Sequence, residues 1–229
     1  MLYSPLEQFE IVPIFSFMLG SKFAFTNSSL FLFLTIFIIA CFFHMTTFES
    51  TLAPNRWQSL AEMIYEFVQG MLHEALGDKG SRFFPFIFTT FVFIFFANIL
   101  GMIPYTFTVT SHLIFTFGLG MTTFVGLNII GLKRHGLHFF SLFLPPGAPL
   151  ALAPLLVPIE LISYVFRVVA LAVRLFANMM AGHTLLKILA TFAWKMIAAG
   201  GIFYIIQLFP MIVIIAITGL ELAIAFLQA

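Results

Sequence analysis

The chain has 229 residues, 62% hydrophobic and 8% charged, with 33 phenylalanines and a formal net charge of +1. Soluble domains carry about a quarter of their residues as charges, so a soluble globular fold is excluded, and the near-neutral balance offers no footprint for nucleic acid. The composition describes an all-α integral membrane protein, read as a single membrane domain over 1–229. The one cysteine, Cys41, forms no intrachain disulfide.

Met1 to Asn27 carries Glu7 and Glu10 where a cleavable signal would need a basic stretch, so no targeting segment is expected. Between Lys22 and Glu49 lie 26 uncharged residues. A helix of about 20 residues crosses a hydrocarbon core of about 30 Å, which predicts a transmembrane helix over 28–47.

From Arg56 to Lys79 the pattern changes. Trp57, Leu60, Ile64, Phe67, Val68 and Met71 recur at helical spacing with Glu62, Glu66 and Glu74 between them, which predicts an amphipathic interfacial helix over 56–78. Asn55 is placed to cap it and Gly77 to end it.

Between Arg82 and Lys133 lie 50 uncharged residues, too many for one crossing. Gly101 and Pro104 break them, predicting a transmembrane hairpin, 83–103 and 112–132, joined by a tight turn. Arg56, Lys79 and Arg82 precede this hairpin and Lys133 and Arg134 follow it, while Lys22 stands alone on the other side. The positive-inside rule places the amphipathic helix on the matrix or cytoplasmic side and the N-terminus outside.

Prolines 145, 146, 149, 154 and 158 punctuate an apolar stretch over 139–158, read as a Pro-rich interfacial segment, because each proline removes a backbone donor. Pro158 suits a helix start. A helix over 159–192 would be about 50 Å long at 1.5 Å per residue, and must tilt to remain in a bilayer. With 201–229 it would form a hairpin of two long tilted helices.

Glu160, Tyr164, Arg167, Leu171, Arg174 and Asn178 are spaced by 3 or 4 residues and line one stripe of the first of these helices. Ala170, Ala177 and Ala181 flank Arg174, and small side chains let another helix approach closely. An arginine at the centre of a membrane helix costs about 2.5 to 3.5 kcal/mol on insertion scales. Arg174 is therefore expected to serve a function and to face a partner. On the last helix Gln207, Thr218, Glu221 and Gln228 fall within about 40° of one face, and a membrane carboxylate such as Glu221 is a candidate proton site.

Each group also has a plainer reading. Arg174 could pair structurally with Glu160 or Glu221. Arg167 is better read as structural or interfacial than as catalytic, and His183 equally as a hydrogen-bonded core residue or as a proton carrier. Asn98 and His112 read as packing or interface residues, and Lys187 and Lys195 as snorkelling. The histidines lack the pairing for a bis-histidine haem, so no cofactor or metal is expected. Arginine does not give up its proton, but it attracts a carboxylate and opposes a free cation. A fixed charge beside titratable groups suggests a proton path interrupted by an electrostatic barrier. An antiporter would show repeated halves, which are not seen; a purely structural subunit would have no need of Arg174, Glu221 and Gln228 in its apolar interior.

The run Arg174-Leu175-Phe176-Ala177-Asn178-Met179-Met180-Ala181-Gly182-His183 resembles the signature of subunit a of the rotary F-type ATP synthases. Asn98-Ile99-Leu100-Gly101-Met102-Ile103-Pro104-Tyr105, Ile159-Glu160-Leu161-Ile162-Ser163-Tyr164 and the stretch from Gly219 to Ala229 are similar to further motifs of that family, in the same order. The resemblance implies a non-catalytic stator lying against a ring of c subunits, with two half-channels leading to and from the ring carboxylates. It implies as partners the c-ring, a peripheral-stalk b-type subunit, other Fo subunits and membrane lipids. Arg174 matches the essential arginine between the half-channels, His183 and Glu221 the pair lining the outer one, Asn178 and Gln228 polar neighbours of the arginine, and Glu160 an acid near the inner exit. The His183/Glu221 arrangement and the opening Ser4-Pro5-Leu6-Glu7-Gln8-Phe9-Glu10 resemble mitochondrial members. The location they imply is the mitochondrial inner membrane, with a bacterial inner membrane as the alternative.

Overall fold

The computed structural model describes residues 6–16, 24–48, 54–103, 106–143, 153–201 and 203–228. Met1, Ser4, Pro5, Lys22, Glu49, Pro104, Tyr105, Pro145, Pro146, Pro149 and Ala229 lie outside them. Five helices are long and apolar enough to cross a membrane among the described residues, and the chain is an all-α integral membrane protein. It divides into two compact units, Met1–Val109 with Gly182–Ala229, and Thr110–Ala181.

The first unit opens with a short 3-10 turn, Glu7–Phe9, and an antiparallel hairpin of β1 (Pro13–Ser16) and β2 (Ala24–Thr26), which no periodicity announced. Asn27 ties this extension to the first membrane helix: its Nδ2 donates to the Glu10 carbonyl at 3.0 Å and its Oδ1 accepts from the Val12 amide at 3.2 Å. Helix α1 then runs Asn27–Phe48. In α2, Arg56–Leu76, the Asn55 side chain accepts from the Arg56 amide at 2.8 Å, and Gly77, at φ 62°, ends the helix two residues before the expected boundary. A left-handed φ is open to glycine without steric cost, so the stop is built into the residue.

Only part of the apolar face of α2 is covered by protein. Val68 is fully buried against Phe91 and Val92 of α3 (Phe84–Met102), whereas Trp57, Leu60, Phe67 and Met71 remain exposed. That leaves an apolar strip free to lie in a bilayer interface. Beyond α3 a 3-10 segment, Val109–Ser111, precedes the next helix. Thr108, Thr110 and Ser111 are buried there.

The second unit pairs α4, Leu113–His135, with the first part of α5, Ala153–Ala199. Gly120 permits a close crossing: a Cβ there would lie 3.2 Å from Val168 Cγ1 and 3.9 Å from Ala172 Cβ. Helix α5 begins six residues before the expected start at 159 and ends seven after 192, so Pro154 and Pro158 lie inside it and not in a separate interfacial segment. Pro154 stands where the amide is unpaired in any helix, and Pro158 forfeits a bond only in the second turn. At 47 residues α5 is about 70 Å long, more than twice a hydrocarbon core, which demands steep inclination.

Gly200 and Gly201, at φ 68° and 63°, end α5. The last segment is not one helix. A short α6, Phe203–Ile206, is separated by Gln207 from α7, Leu208–Leu227, because Pro210 has no amide to continue the ladder but fits the first turn of a new helix. Thr218, which is exposed, bonds back to the Ile214 carbonyl of its own helix at 2.8 Å.

Candidate functional site

In the first unit α5 and α7 bring an imidazole and a carboxyl together. His183 Nε2 lies 3.5 Å from Glu221 Oε1, with the two side chains only 15% and 5% exposed. Neither carboxyl oxygen of Glu221 has a hydrogen-bond partner among the described residues. A buried carboxyl without a donor calls for a cation or a proton beside it, and the facing imidazole can supply either.

Local sequence makes this approach feasible. Gly182 precedes His183 on α5, and a Cβ built on it would lie 2.6 Å from Glu221 Oε1 and 2.9 Å from its carboxyl carbon. Any side chain there would displace the acid. Around the imidazole, Thr108 Oγ1 reaches Nε2 at 3.3 Å, and the Phe9 ring meets the His183 ring edge-on, with centroids 6.4 Å apart at 62°. Helix α7 is fastened to α3 by Asn98, whose Nδ2 donates to the Ala225 carbonyl at 3.3 Å, and by Phe226, packed on Phe67, Phe91 and Phe95. Gln228 follows as the C-cap of α7, its Oε1 buried without a hydrogen-bond partner among the described residues.

In the second unit the stripe of α5 is turned outward. Glu160, Arg167, Leu171 and Arg174 are exposed, together with Ala170, Ala177 and Ala181, while Ala172, Leu175 and Met179 are buried on another face. Arg174 forms no ion pair among the described residues. Asn178 is half-buried. Tyr164 departs from the stripe: its hydroxyl donates to Asn128 Oδ1 of α4 at 3.2 Å and its ring packs on Phe124 and Phe143, which makes it part of the α4–α5 contact. His112 is the N-cap of α4.

The periodicity of single helices pointed to His183 and Glu221, but not to Thr108, Gly182 or Phe9. One signal for Thr108 was available: Thr106, Thr108, Thr110 and Ser111 cluster in an otherwise apolar hairpin, and buried hydroxyls collect where a polar path or a turn needs partners.

The fold and site define a class: a multi-span helical membrane protein with an acid–imidazole pair enclosed between two of its helices and an arginine on the open face of one of them. The ATP synthase A chain family model matches residues 29–229. The chain is 54% identical to the ATP synthase subunit a of Chondrus crispus, over 99% of this chain and 90% of that one. It is 53% identical to that of Marchantia polymorpha, over 100% and 93%, and 49% identical to that of Rhodospirillum rubrum, over 100% and 92%. The chain belongs to the ATP synthase A chain family, the proton-channel subunits of the Fo membrane sector.

Proposed function

We propose that the chain is the stator of proton translocation in a mitochondrial F-type ATP synthase. On this reading, protons from the outer side reach His183 and Glu221, pass to a carboxylate on a ring of c subunits, and leave toward the inner side past Glu160. Arg174 stands between the two half-channels, with Asn178 and Gln228 as its polar neighbours. The subunit makes no chemical bonds itself. A peripheral-stalk b-type subunit, other Fo subunits and lipids would hold it in place in the inner membrane.

The observation that carries this reading is the enclosed His183–Glu221 contact at 3.5 Å on a chain whose membrane arginine, Arg174, is exposed. The pair can exchange a proton, because an imidazole and a carboxyl each bind one and release one. The guanidinium cannot, since it stays charged at any physiological pH. Left bare in hydrocarbon it would be expensive, so its open, alanine-flanked face calls for an anionic partner from another chain. A carboxylate carried past on a ring meets that need without supplying a permanent partner.

The test is Arg174→Ala in energised membranes. Coupled ATP synthesis should fall to background while passive proton leak persists, and Arg174→Lys should restore little, because an ammonium lacks the planar fork of guanidinium. Synthesis by Arg174→Ala membranes at near-normal rates would overturn the reading. ATP-driven pumping at varied Na⁺ checks the ion: a rate independent of Na⁺ is expected.

A further inference from the structure

We propose that Thr108 is a positioning residue for the proton step at His183, its hydroxyl serving as the alternate partner of Nε2 as the proton passes between Nε2 and Glu221. The inference rests on the reading of His183 and Glu221 as a proton path, and adds to it a third side chain from the connection between α3 and α4.

Three distances carry it. Thr108 Oγ1 and Glu221 Oε1 approach the same imidazole nitrogen, at 3.3 Å and 3.5 Å. Thr108 Oγ1 also lies 3.4 Å from the Gly101 carbonyl oxygen. A carbonyl only accepts, whereas a hydroxyl has one proton to donate and lone pairs with which to accept. When Nε2 carries a proton, the Thr108 O–H donates to Gly101 and its lone pair accepts from Nε2–H. When that proton has moved to Glu221, leaving imidazole with its remaining proton on Nδ1, the hydroxyl rotates and donates to the bare Nε2. One proton leaves Nε2, one arrives on a carboxylate oxygen, and the ring keeps a hydrogen-bond partner in both states. The His183–Glu221 contact closes to ordinary hydrogen-bond length during the step, as such contacts do on going from resting to reacting geometry.

The placement of Thr108 is built in. The side chain is 3% exposed, and it fits only because residue 101 is glycine: a Cβ there would lie 2.5 Å from Thr108 Cγ2. The ring is held between the Thr108 hydroxyl and the Phe9 edge, with Glu221 facing it from α7. A buried imidazole that lost its partner in one of the two states would swing or stall, because an unpaired buried polar atom is disfavoured.

The test uses the assembled ATP synthase reconstituted in liposomes, with proton flux normalised to complex and measured across pH. Thr108→Val keeps the shape and removes the hydroxyl; Thr108→Ser keeps the hydroxyl and removes the methyl. Val should lower flux about three- to tenfold, the range set by loss of one hydrogen bond, and alter the pH profile, while Ser should restore both to within about twofold. If Val assembles poorly, the Thr108→Ala and Thr108→Ser pair makes the same comparison, since both lack the methyl and only Ser keeps the hydroxyl. Normal flux and an unchanged pH profile in Val or Ala, alongside flux abolished in His183→Ala, would overturn the role of Thr108 and leave the path intact. Normal flux in His183→Ala as well would instead remove the path on which the inference stands.

Discussion

Glu221 Oε1 occupies space that any side chain on Gly182 would fill, 2.6 Å from the position of its Cβ. The neighbour of His183 on α5 thus admits the acid to the imidazole by having no side chain. Gly182→Ala should push the carboxyl away and separate the pair. We expect a change in stability of about 1 kcal/mol or less, because the displaced atoms are the mobile end of the Glu221 side chain and alanine suits a helix interior better than glycine, and a loss of proton flux larger than that change explains. Thermal unfolding of the detergent-solubilised complex and flux per assembled complex measure the two; normal flux would show that the close approach is dispensable.

His183 and Glu221 are expected to act as a unit. In a double-mutant cycle of His183→Ala and Glu221→Ala read by proton flux, the second substitution should cost much less than the first, with an interaction energy of about 0.5 to 3 kcal/mol. Exchanging the residue types, His183→Glu with Glu221→His, should recover more flux than the worse single variant, because both partners remain present. Additive effects would argue that the groups, though 3.5 Å apart, do not hand protons to one another.

Asn98 belongs to the frame that holds α7. Its amide donates to the Ala225 carbonyl, and both residues are buried. Asn98→Ala leaves that carbonyl and a small cavity unfilled, so a loss of about 1 to 3 kcal/mol is expected. The melting temperature of the complex in detergent should fall, with the Na⁺ independence of pumping unchanged. An unaltered melting temperature would mean that the Phe226 contacts alone suffice to fasten α7 to α3.

Several parts of this architecture were legible because they are local. Charge-free length sets where α1, α3 and α4 cross, and the observed α1, Asn27–Phe48, lies within a residue of the limits expected from hydropathy at each end. Asn55 and Gly77 bound α2 through their own backbone chemistry, a side-chain acceptor at one end and a left-handed φ at the other. Arg174 drew notice because a permanent charge in an apolar run is costly wherever the helix lies. Prolines were the weakest guide. Pro158 was read as a helix start but sits inside α5, since a missing donor near the N-terminal end costs little, while Pro210 divides a segment that periodicity treated as continuous.

What the sequence by itself determined, then, is the solvent of the chain, the number of its spans, and which of their residues are too polar for lipid. Tertiary structure decided which of those residues meet. His183 and Glu221 are 38 positions apart, Thr108 and His183 are 75, and Asn98 and Ala225 are 127. No period within a helix encodes such contacts. The two contacts of His183 depend on close approach, and the approach is set by what is missing at Gly101, which makes room for Thr108, and at Gly182, which makes room for Glu221, two absent side chains whose significance appears only when the opposing loop or helix is in place.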